Sequence, residues 1–433
     1  MSKNAPLCFC SVFLFAASVF AKDYLSKNFV IHSDLEPRYV QLVQANAEAY
    51  FGNLRDLYFQ TGWRGQSLVI YYSETQSETQ QLLKSRGETD EVAYSCYVSS
   101  MPAVYAHRLT DDGQSCGWSG LFCGIAHHFI QTSFQSPPAW FDEGLARFLG
   151  ERTQIVKGKI ILGGPNPCRE QILSDKLDEG TRANIKRLFT SSTEQFRNWD
   201  LGPHFAETFF YWLHENGQLE QYLKNVAQKA YEDGEEKAYE LSVLEETVSK
   251  PFGRINVELR RFMEETCRAE AYLQAGCRAS NKPQKKEAFL KALEIKPLYR
   301  PAQLELAKCY YQDKNYQKCR DYLKQILSGL ESIEYRQAAG LMGNTYYKEK
   351  NYSQALDYYV KAWEYSAHYE YKYLAAYQIA NCHHYLKDYN NAKKWYGEFL
   401  DCIWQPDKMK ACADYAQKYV KCADGTIDAE AGK

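Results

Sequence analysis

Residues 127–144 read His-His-Phe-Ile-Gln-Thr-Ser-Phe-Gln-Ser-Pro-Pro-Ala-Trp-Phe-Asp-Glu-Gly. Apolar periodicity over residues 120–134 predicts a helix, and the two prolines that follow end it because proline cannot continue a helix. His127 and Gln131 are four residues apart and therefore share one face of that helix. A second helix is predicted to begin after the prolines and to carry Glu143. The stretch thus predicts a helix pair that brings a histidine, an amide and a carboxylate together.

A zinc-binding helix of the H-E-x-x-H kind uses two histidines at i and i+4, an intervening glutamate as general base, and a further ligand downstream. Aligned on that pattern, His127 and Glu143 take the places of the first and third ligands. His128 stands at the place of the base, and Gln131 at the place of the second histidine. Glutamine is a weak, neutral oxygen donor for zinc, and an imidazole presents its proton acceptor in a different place from a carboxylate. The pattern therefore predicts a site that has lost its general base and one ligand.

The order of elements around this stretch resembles the peptidase MA-like (gluzincin) domain of exported bacterial zinc metallopeptidases. The most specific part is Pro138–Phe148, and the segment Phe205–Gly217 adds to it, although Phe205 stands where the family has tyrosine. The resemblance implies a zincin-like α+β fold and metal-assisted hydrolysis in active members. Carried over by position, it implies metal positions at His127, Gln131 and Glu143 and a catalytic base position at His128.

Two interpretations of this site remain open from the sequence. In the first, His127, Gln131 and Glu143 form a hydrogen-bond cluster at the former metal position, and glycines on the same helical stripe let another element approach. In the second, a metal site is retained with altered chemistry. The nearest histidines that would then complete it are His107 and His204, although each is typical of a surface or core histidine. We expect no cofactor under the first interpretation and zinc under the second.

Repeats fill the C-terminal part of the chain. Three segments align, each with a small residue, an aromatic or histidine three residues later, then Asn-Tyr or Asp-Tyr, and a further small residue: Ala307–Ile326, Gly343–Ala362 and Ala380–Phe399. The second small residues, Cys319, Ala355 and Ala392, are separated by 36 and 37 residues. These segments resemble tetratricopeptide repeats, which implies an all-α solenoid with a groove for a protein or peptide. A capping helix is expected over Lys408–Cys422.

The first residues are typical of a secretory signal. Ala5–Phe20 is apolar and uncharged, and it is shorter than the roughly 20 residues that a membrane anchor needs. The sequence therefore predicts an exported protein, periplasmic or extracellular, without a membrane anchor after cleavage. Of 14 cysteines, the group Cys96, Cys116 and Cys123 consists of either disulfide candidates or buried thiols.

Length predicts two or three domains, and the hydrophobic content is sufficient for their cores. The chain has 433 residues, 45% hydrophobic residues and a net charge of −2, which does not indicate a nucleic-acid partner. The predicted divisions are a signal peptide at 1–21, the peptidase MA-like domain at 22–260, the repeats with their cap at 264–424, and a tail at 425–433. We expect a pseudopeptidase that acts by protein or peptide binding. The alternatives are an active zinc hydrolase with an atypical site, and an N-terminal domain that serves only as a spacer.

Overall fold

The computed structural model describes the chain in twelve stretches. They are residues 22–57, 68–88, 95–98, 102–109, 118–134, 136–156, 158–164, 173, 184–328, 334–366, 372–403 and 409–421. The expected signal peptide and tail lie outside these stretches and stay predictions. Within them, no helix combines the length and the apolar character that crossing a bilayer requires.

A small mixed sheet opens the fold. Its strands lie in the spatial order β1-β2-β3-β5-β4, and both outermost pairs are antiparallel whereas the two central pairs are parallel. A separate antiparallel pair, β6 and β7, follows later in the chain. The strands are β1 (Asp23–Leu25), β2 (Phe29–His32), β3 (Leu68–Thr75), β4 (Ser95–Val98), β5 (Ala103–Leu109), β6 (Gln154–Val156) and β7 (Lys159–Ile161).

Helices cover both faces of the sheet because side chains alternate along each strand. On β5, Val104 and Ala106 belong to the large core formed with the first and third helices, whereas Ala103 and Tyr105 pack with the second helix. The helices are α1 (Pro37–Leu57), α2 (Gln76–Ser85), α3 (Ser119–Ser133) and α4 (Ala139–Glu151). The last two are the helix pair that the opening stretch predicts.

Further helices complete this part of the chain: α5 (Ile185–Thr190), α6 (Thr193–Arg197), α7 (Gly202–Glu215), α8 (Leu219–Asp233), α9 (Glu235–Ala238), α10 (Leu241–Val248) and α11 (Phe252–Arg278). The first half of α11 packs into the N-terminal core through Ile255 and Leu259. Its second half packs with the following helix through Ala269 and Leu273. The expected division between residues 260 and 264 falls inside this continuous helix, and the division into two domains stays a prediction.

A helical array of repeat-like hairpins forms the C-terminal part. Its helices are α12 (Lys282–Ile295), α13 (Arg300–Gln312), α14 (Tyr316–Ser328), α15 (Tyr335–Lys348), α16 (Tyr352–Glu364), α17 (Lys372–Tyr385), α18 (Tyr389–Cys402) and α19 (Lys410–Lys421). The turns of three hairpins place Lys314, Lys350 and Lys387 in the left-handed region, with φ of 58°, 61° and 62°. The coarse order, a mixed α/β part followed by an all-α array, is therefore confirmed.

Described cysteines at the end of α11 and in the helical array are thiols. Cys277, Cys309, Cys319, Cys382, Cys402 and Cys412 form no disulfide. Burial raises the pKa of Cys319 and of Cys382 to about 12 each, which keeps both thiols protonated and unreactive. The residue Cys116 and the side chain of Cys96 lie outside the described part, so the expectation for that group stays a prediction.

Candidate functional site

Close helix packing sets the positions of the residues in the predicted site. A Cβ atom at Gly150 on α4 would lie 2.3 Å from the Cys123 sulfur and 2.5 Å from its backbone nitrogen on α3. A Cβ atom at Gly124 would lie 2.4 Å from Val104 Cγ1 on the sheet. Glycine is therefore required at both contacts. At Gly124, on the predicted glycine stripe of α3, the neighbour is the Val104 side chain of the sheet. The two helices are held at a fixed rotation relative to each other.

His127 and Gln131 both reach the same carboxylate on α4, which is that of Asp142. His127 Nδ1 lies 2.9 Å from Asp142 Oδ1, and Gln131 Nε2 donates to Asp142 Oδ2 at 3.1 Å. The side chains of His127 and Asp142 are 19% and 17% exposed. Since Gln131 turns its amide nitrogen towards the carboxylate, the second-ligand position presents a hydrogen-bond donor here.

Glu143 lies on the other side of the His127 ring. His127 Nε2 is 3.7 Å from Glu143 Oε2. Arg147, one helical turn after Glu143, donates from Nε to Glu143 Oε1, and its Nη1 atom is 3.8 Å from Glu151 Oε1. Both oxygens of Glu143 therefore face a cationic or protonatable side chain. We call the connected residues the interhelical polar chain: Gln131, Asp142, His127, Glu143 and Arg147.

Charges within the interhelical polar chain shift the pKa values of His127 and Glu143. Burial opposes protonation of His127, but the charge and hydrogen bond of Asp142, together with the charge of Glu143, outweigh burial and raise its pKa. Burial likewise opposes ionisation of Glu143, but the charges of Arg147 and His127 outweigh burial and lower its pKa. The two carboxylates are thus compensated by an arginine and by a histidine that is held towards its protonated form.

His128 lies against the sheet. Its Nδ1 atom is 2.9 Å from the hydroxyl oxygen of Tyr97 on β4, and the residue is 5% exposed. Burial lowers the pKa of His128 to about 4, and burial together with the charge of Asp142 raises the pKa of Tyr97 to about 12. The side chain is therefore neutral near pH 7 and partnered by Tyr97. The role of base that its position implies stays a prediction.

The donor set provides a test of whether the residues fit zinc. A zinc ion in a catalytic site takes three protein ligands at about 2.0–2.2 Å, so two of its ligand atoms lie roughly 3.3 Å apart. His127 Nε2 and Glu143 Oε2 approach that separation, but the Gln131 amide nitrogen cannot bind a cation, and Arg147 places a positive charge on Glu143. Among the described residues, no three His, Cys, Asp or Glu side chains form a group that could hold a metal ion. The residues do not fit a zinc site of the implied kind.

The zinc pattern in the sequence identifies three residues of the interhelical polar chain, His127, Gln131 and Glu143. It misses the other two. Asp142 and Arg147 belong to the opening segment, yet the zinc pattern assigns no role to either. Arg147 could have been found from its i, i+4 spacing to Glu143, which favours an ion pair on a helix. His107 is buried on β5, and His204 lies in the first turn of α7. Within the described residues, neither histidine completes a metal group.

A buried ion pair anchors the end of α4 to α7. Arg152 donates from Nε to Glu207 and from Nη1 to the Gly164 carbonyl at 2.8 Å, and both charged side chains are at most 1% exposed. The Arg152 guanidinium also lies 4.1 Å from the centre of the Tyr211 ring. Because two buried charges are costly unless they are paired and hydrogen-bonded, breaking this contact would destabilise the packing of α7 against the end of α4.

The array carries a second candidate site, built from repeated hydrogen bonds. Tyr359 donates its hydroxyl to Asn344 Oδ1 at 2.7 Å, and Tyr396 donates to Asn381 Oδ1 at 2.6 Å. The two asparagines are 37 residues apart, half-buried, and lie on α15 and α17, which are equivalent helices of consecutive hairpins. The equivalent residue of the preceding hairpin is Lys308. This row therefore places a nitrogen-bearing polar side chain at the same position of three hairpins.

Comparison with known proteins leaves the chain without an assigned family. No family model matches it, and no curated protein matches it. The resemblances to gluzincins and to tetratricopeptide repeats therefore rest on the residues quoted above and stay predictions.

Proposed function

We propose that the protein acts by binding: its helical array holds an extended segment of a partner protein or peptide, and its N-terminal domain has a zincin-like fold without peptidase activity. The tetratricopeptide character of the array belongs to the same proposal. Export to the periplasm or the cell exterior is the proposed setting, supported by the apolar run of residues 5–20. The repeated tyrosine-to-asparagine hydrogen bond carries the proposal.

The orientation of the two asparagine amides supports a peptide ligand. Each carbonyl oxygen accepts a hydrogen bond from a tyrosine that is largely buried, so the amide nitrogen of each asparagine lies away from that hydroxyl. Asn381 also hydrogen-bonds the Tyr377 side chain. An extended peptide offers backbone carbonyl oxygens at regular intervals, which such donors bind without regard to sequence. The Asn344 amide is therefore oriented to donate to the backbone of a peptide, and a peptide carbonyl at Asn381 would compete with Tyr377.

Lys308 adds charge to one end of this row. Its Nζ atom donates to Glu305 at 2.6 Å and to Gln337 Oε1 on α15 at 3.3 Å. The lysine therefore bridges two equivalent helices and is half-buried at its position in the row. A ligand with a carboxylate near this end would gain a charge-assisted hydrogen bond, so we propose a preference for an acidic residue or a free C-terminus there.

The absence of peptidase activity is supported by the two positions that depart from the zinc pattern. Gln131 gives its amide nitrogen to Asp142. His128 is bonded to Tyr97 and, with a pKa of about 4, is a weak base near pH 7. Metal-assisted hydrolysis needs both a complete ligand set and a base that takes the proton of the attacking water.

A peptide-selection experiment tests the binding proposal. A phage-displayed library of random peptides is selected on the immobilised full chain, and enriched peptides are titrated by fluorescence anisotropy. We expect Asn344→Ala and Asn381→Ala each to weaken binding by roughly fivefold, because a net hydrogen bond contributes about 1 kcal/mol. Lys308→Met is expected to weaken only those peptides that carry an acidic residue or a free C-terminus.

The matched control is Gln317→Ala. Gln317 is another side-chain amide of the array, but it is exposed on α14, the second helix of its hairpin, and donates to Asp321 on the same helix. Its replacement is expected to leave peptide affinity unchanged. The binding proposal is wrong if no peptide is enriched, or if the asparagine variants bind the enriched peptides as tightly as the unaltered chain does.

One observation favours a second candidate, an active zinc hydrolase. The separation of 3.7 Å between His127 Nε2 and Glu143 Oε2 would allow both atoms to share a metal ion after a small shift. The test is zinc content of the purified chain together with cleavage of an unfolded protein substrate. Stoichiometric zinc and cleavage, both lost in His127→Ala, would establish the hydrolase and remove the proposal of an inactive domain.

A further inference from the structure

The third-ligand carboxylate already has a cation beside it. Glu143 Oε1 accepts a hydrogen bond from Arg147 Nε, and the two side chains are 31% and 24% exposed. Partial burial strengthens this pairing relative to a fully solvated ion pair, because less water screens the two charges. A metal ion that bound Glu143 would have to approach a guanidinium on the same carboxylate.

Hydrogen bonds also provide the link between helices that shared metal ligands would provide. The interhelical polar chain takes two side chains from α3 and three from α4, and alternates donors with acceptors along its length. Close packing at Gly150 and Cys123 holds the same two helices together about one turn from His127 and Arg147. Hydrogen bonds and packing within the protein therefore join α3 to α4 without a metal ion.

We propose that Arg147 supplies, as a side-chain cation, the positive charge that a metal ion would supply to Glu143, so that the interhelical polar chain is a metal-independent clamp between α3 and α4 that disfavours divalent cations. This inference concerns the N-terminal domain alone. It stands or falls separately from peptide binding by the array, because no residue of the row on α13, α15 and α17 takes part in it.

Rebuilding the missing ligand tests the role of Arg147. Gln131→His restores the second histidine of the zinc pattern, and it is compared with the double variants Gln131→His with Arg147→Met and Gln131→His with Arg147→Lys. Zinc is titrated calorimetrically into each full-length chain after removal of metals with a chelator. We expect the methionine double variant to bind zinc on the order of tenfold more tightly than Gln131→His alone, and the lysine double variant to match the single variant.

The control for loss of an arginine is Gln131→His with Arg261→Met. Arg261 on α11 also pairs with a glutamate four residues along its helix, Glu265, but its side chain is 77% exposed. This control is expected to bind zinc as Gln131→His alone does. Equal zinc affinity with and without the Arg147 charge would overturn the inference.

A measurement on the unaltered chain keeps the inference testable if a variant does not fold. Thermal unfolding is recorded with added zinc and with a chelator. We expect the same melting temperature in both, since a ligand stabilises a fold only in proportion to its binding to the folded state. A melting temperature that rises with zinc, and falls back with His127→Gln, would show a metal site that Arg147 does not prevent.

Discussion

His127 Nδ1 lies 2.9 Å from Asp142 Oδ1, and this contact joins the two helices that the opening stretch of sequence encodes. A neutral imidazole has one N–H donor and cannot present a proton to both Asp142 and Glu143, whereas an imidazolium carries a donor on each ring nitrogen. The geometry therefore couples the protonation of one side chain to the packing of α3 against α4.

Stability is expected to depend on this histidine with a definite sign. The pKa of His127 is raised from its ordinary value of 6.5 in the fold. Its contribution is therefore fully present below pH 6.5 and is lost as pH rises through the folded-state pKa. The free energy of unfolding of the unaltered chain minus that of His127→Gln, measured with urea, should be largest near pH 6 and decrease above it. A difference that grows with rising pH would contradict this assignment.

The adjacent histidine, His128, is expected to give stability the opposite dependence on pH. Burial lowers the pKa of His128 from 6.5 to about 4, so the unfolded chain takes up a proton first as pH falls. The fold then loses stability between pH 6.5 and pH 4, by up to roughly 3 kcal/mol from this group. His128→Gln keeps a partner for the Tyr97 hydroxyl but does not titrate.

Urea unfolding of the unaltered chain and of His128→Gln at several pH values measures this effect. Carboxylates also titrate in this pH range, so the informative quantity is the difference in the free energy of unfolding between the two proteins. We expect the unaltered chain to lose stability relative to the variant as pH falls below 6.5. Parallel curves would mean that His128 is accessible enough to keep its ordinary pKa.

The helix pair, but not its full set of contacts, could be predicted from the sequence. Spacing of four residues places His127 and Gln131 on one face, and both side chains do meet one carboxylate. Which carboxylate they meet depends on the rotation of α4 about its axis. That rotation is set by tertiary contacts such as Gly150 against Cys123, and local sequence does not contain them.

The array could be predicted more fully, because its contacts recur. Spacings of 36 and 37 residues predict hairpins in register, and the structure repeats the same tyrosine-to-asparagine bond in two of them. The first hairpin breaks the series, since Leu323 stands at the tyrosine position and Lys308 at the asparagine position. A repeat pattern of small and aromatic residues predicts the packing of the hairpins, but it does not predict departures such as Lys308.

Gly150→Ala is expected to destabilise the fold. The added Cβ would lie 2.5 Å from the Cys123 backbone nitrogen, so the helices would have to separate, at a cost of about 1–3 kcal/mol. The control is Gly397→Ala within α18, where nothing lies within 4 Å of an added Cβ. That change is expected to stabilise by about 0.5–1 kcal/mol, because alanine favours a helix. Urea unfolding of both variants measures this, and equal effects would argue against tight α3–α4 packing.

The hairpin turns of the array hold a lysine in the left-handed backbone region, which lowers the stability of the fold. Lys350 has a φ of 61°, in a region that disfavours side chains with a Cβ by roughly 1 kcal/mol and that glycine adopts readily. Lys350→Gly is therefore expected to raise the free energy of unfolding by up to about 1 kcal/mol. Lys324→Gly, at an exposed position inside α14, should instead lower it by about 1 kcal/mol. Thermal unfolding compares the two variants, and loss of stability in both would mean that the turn does not hold Lys350 in the left-handed region.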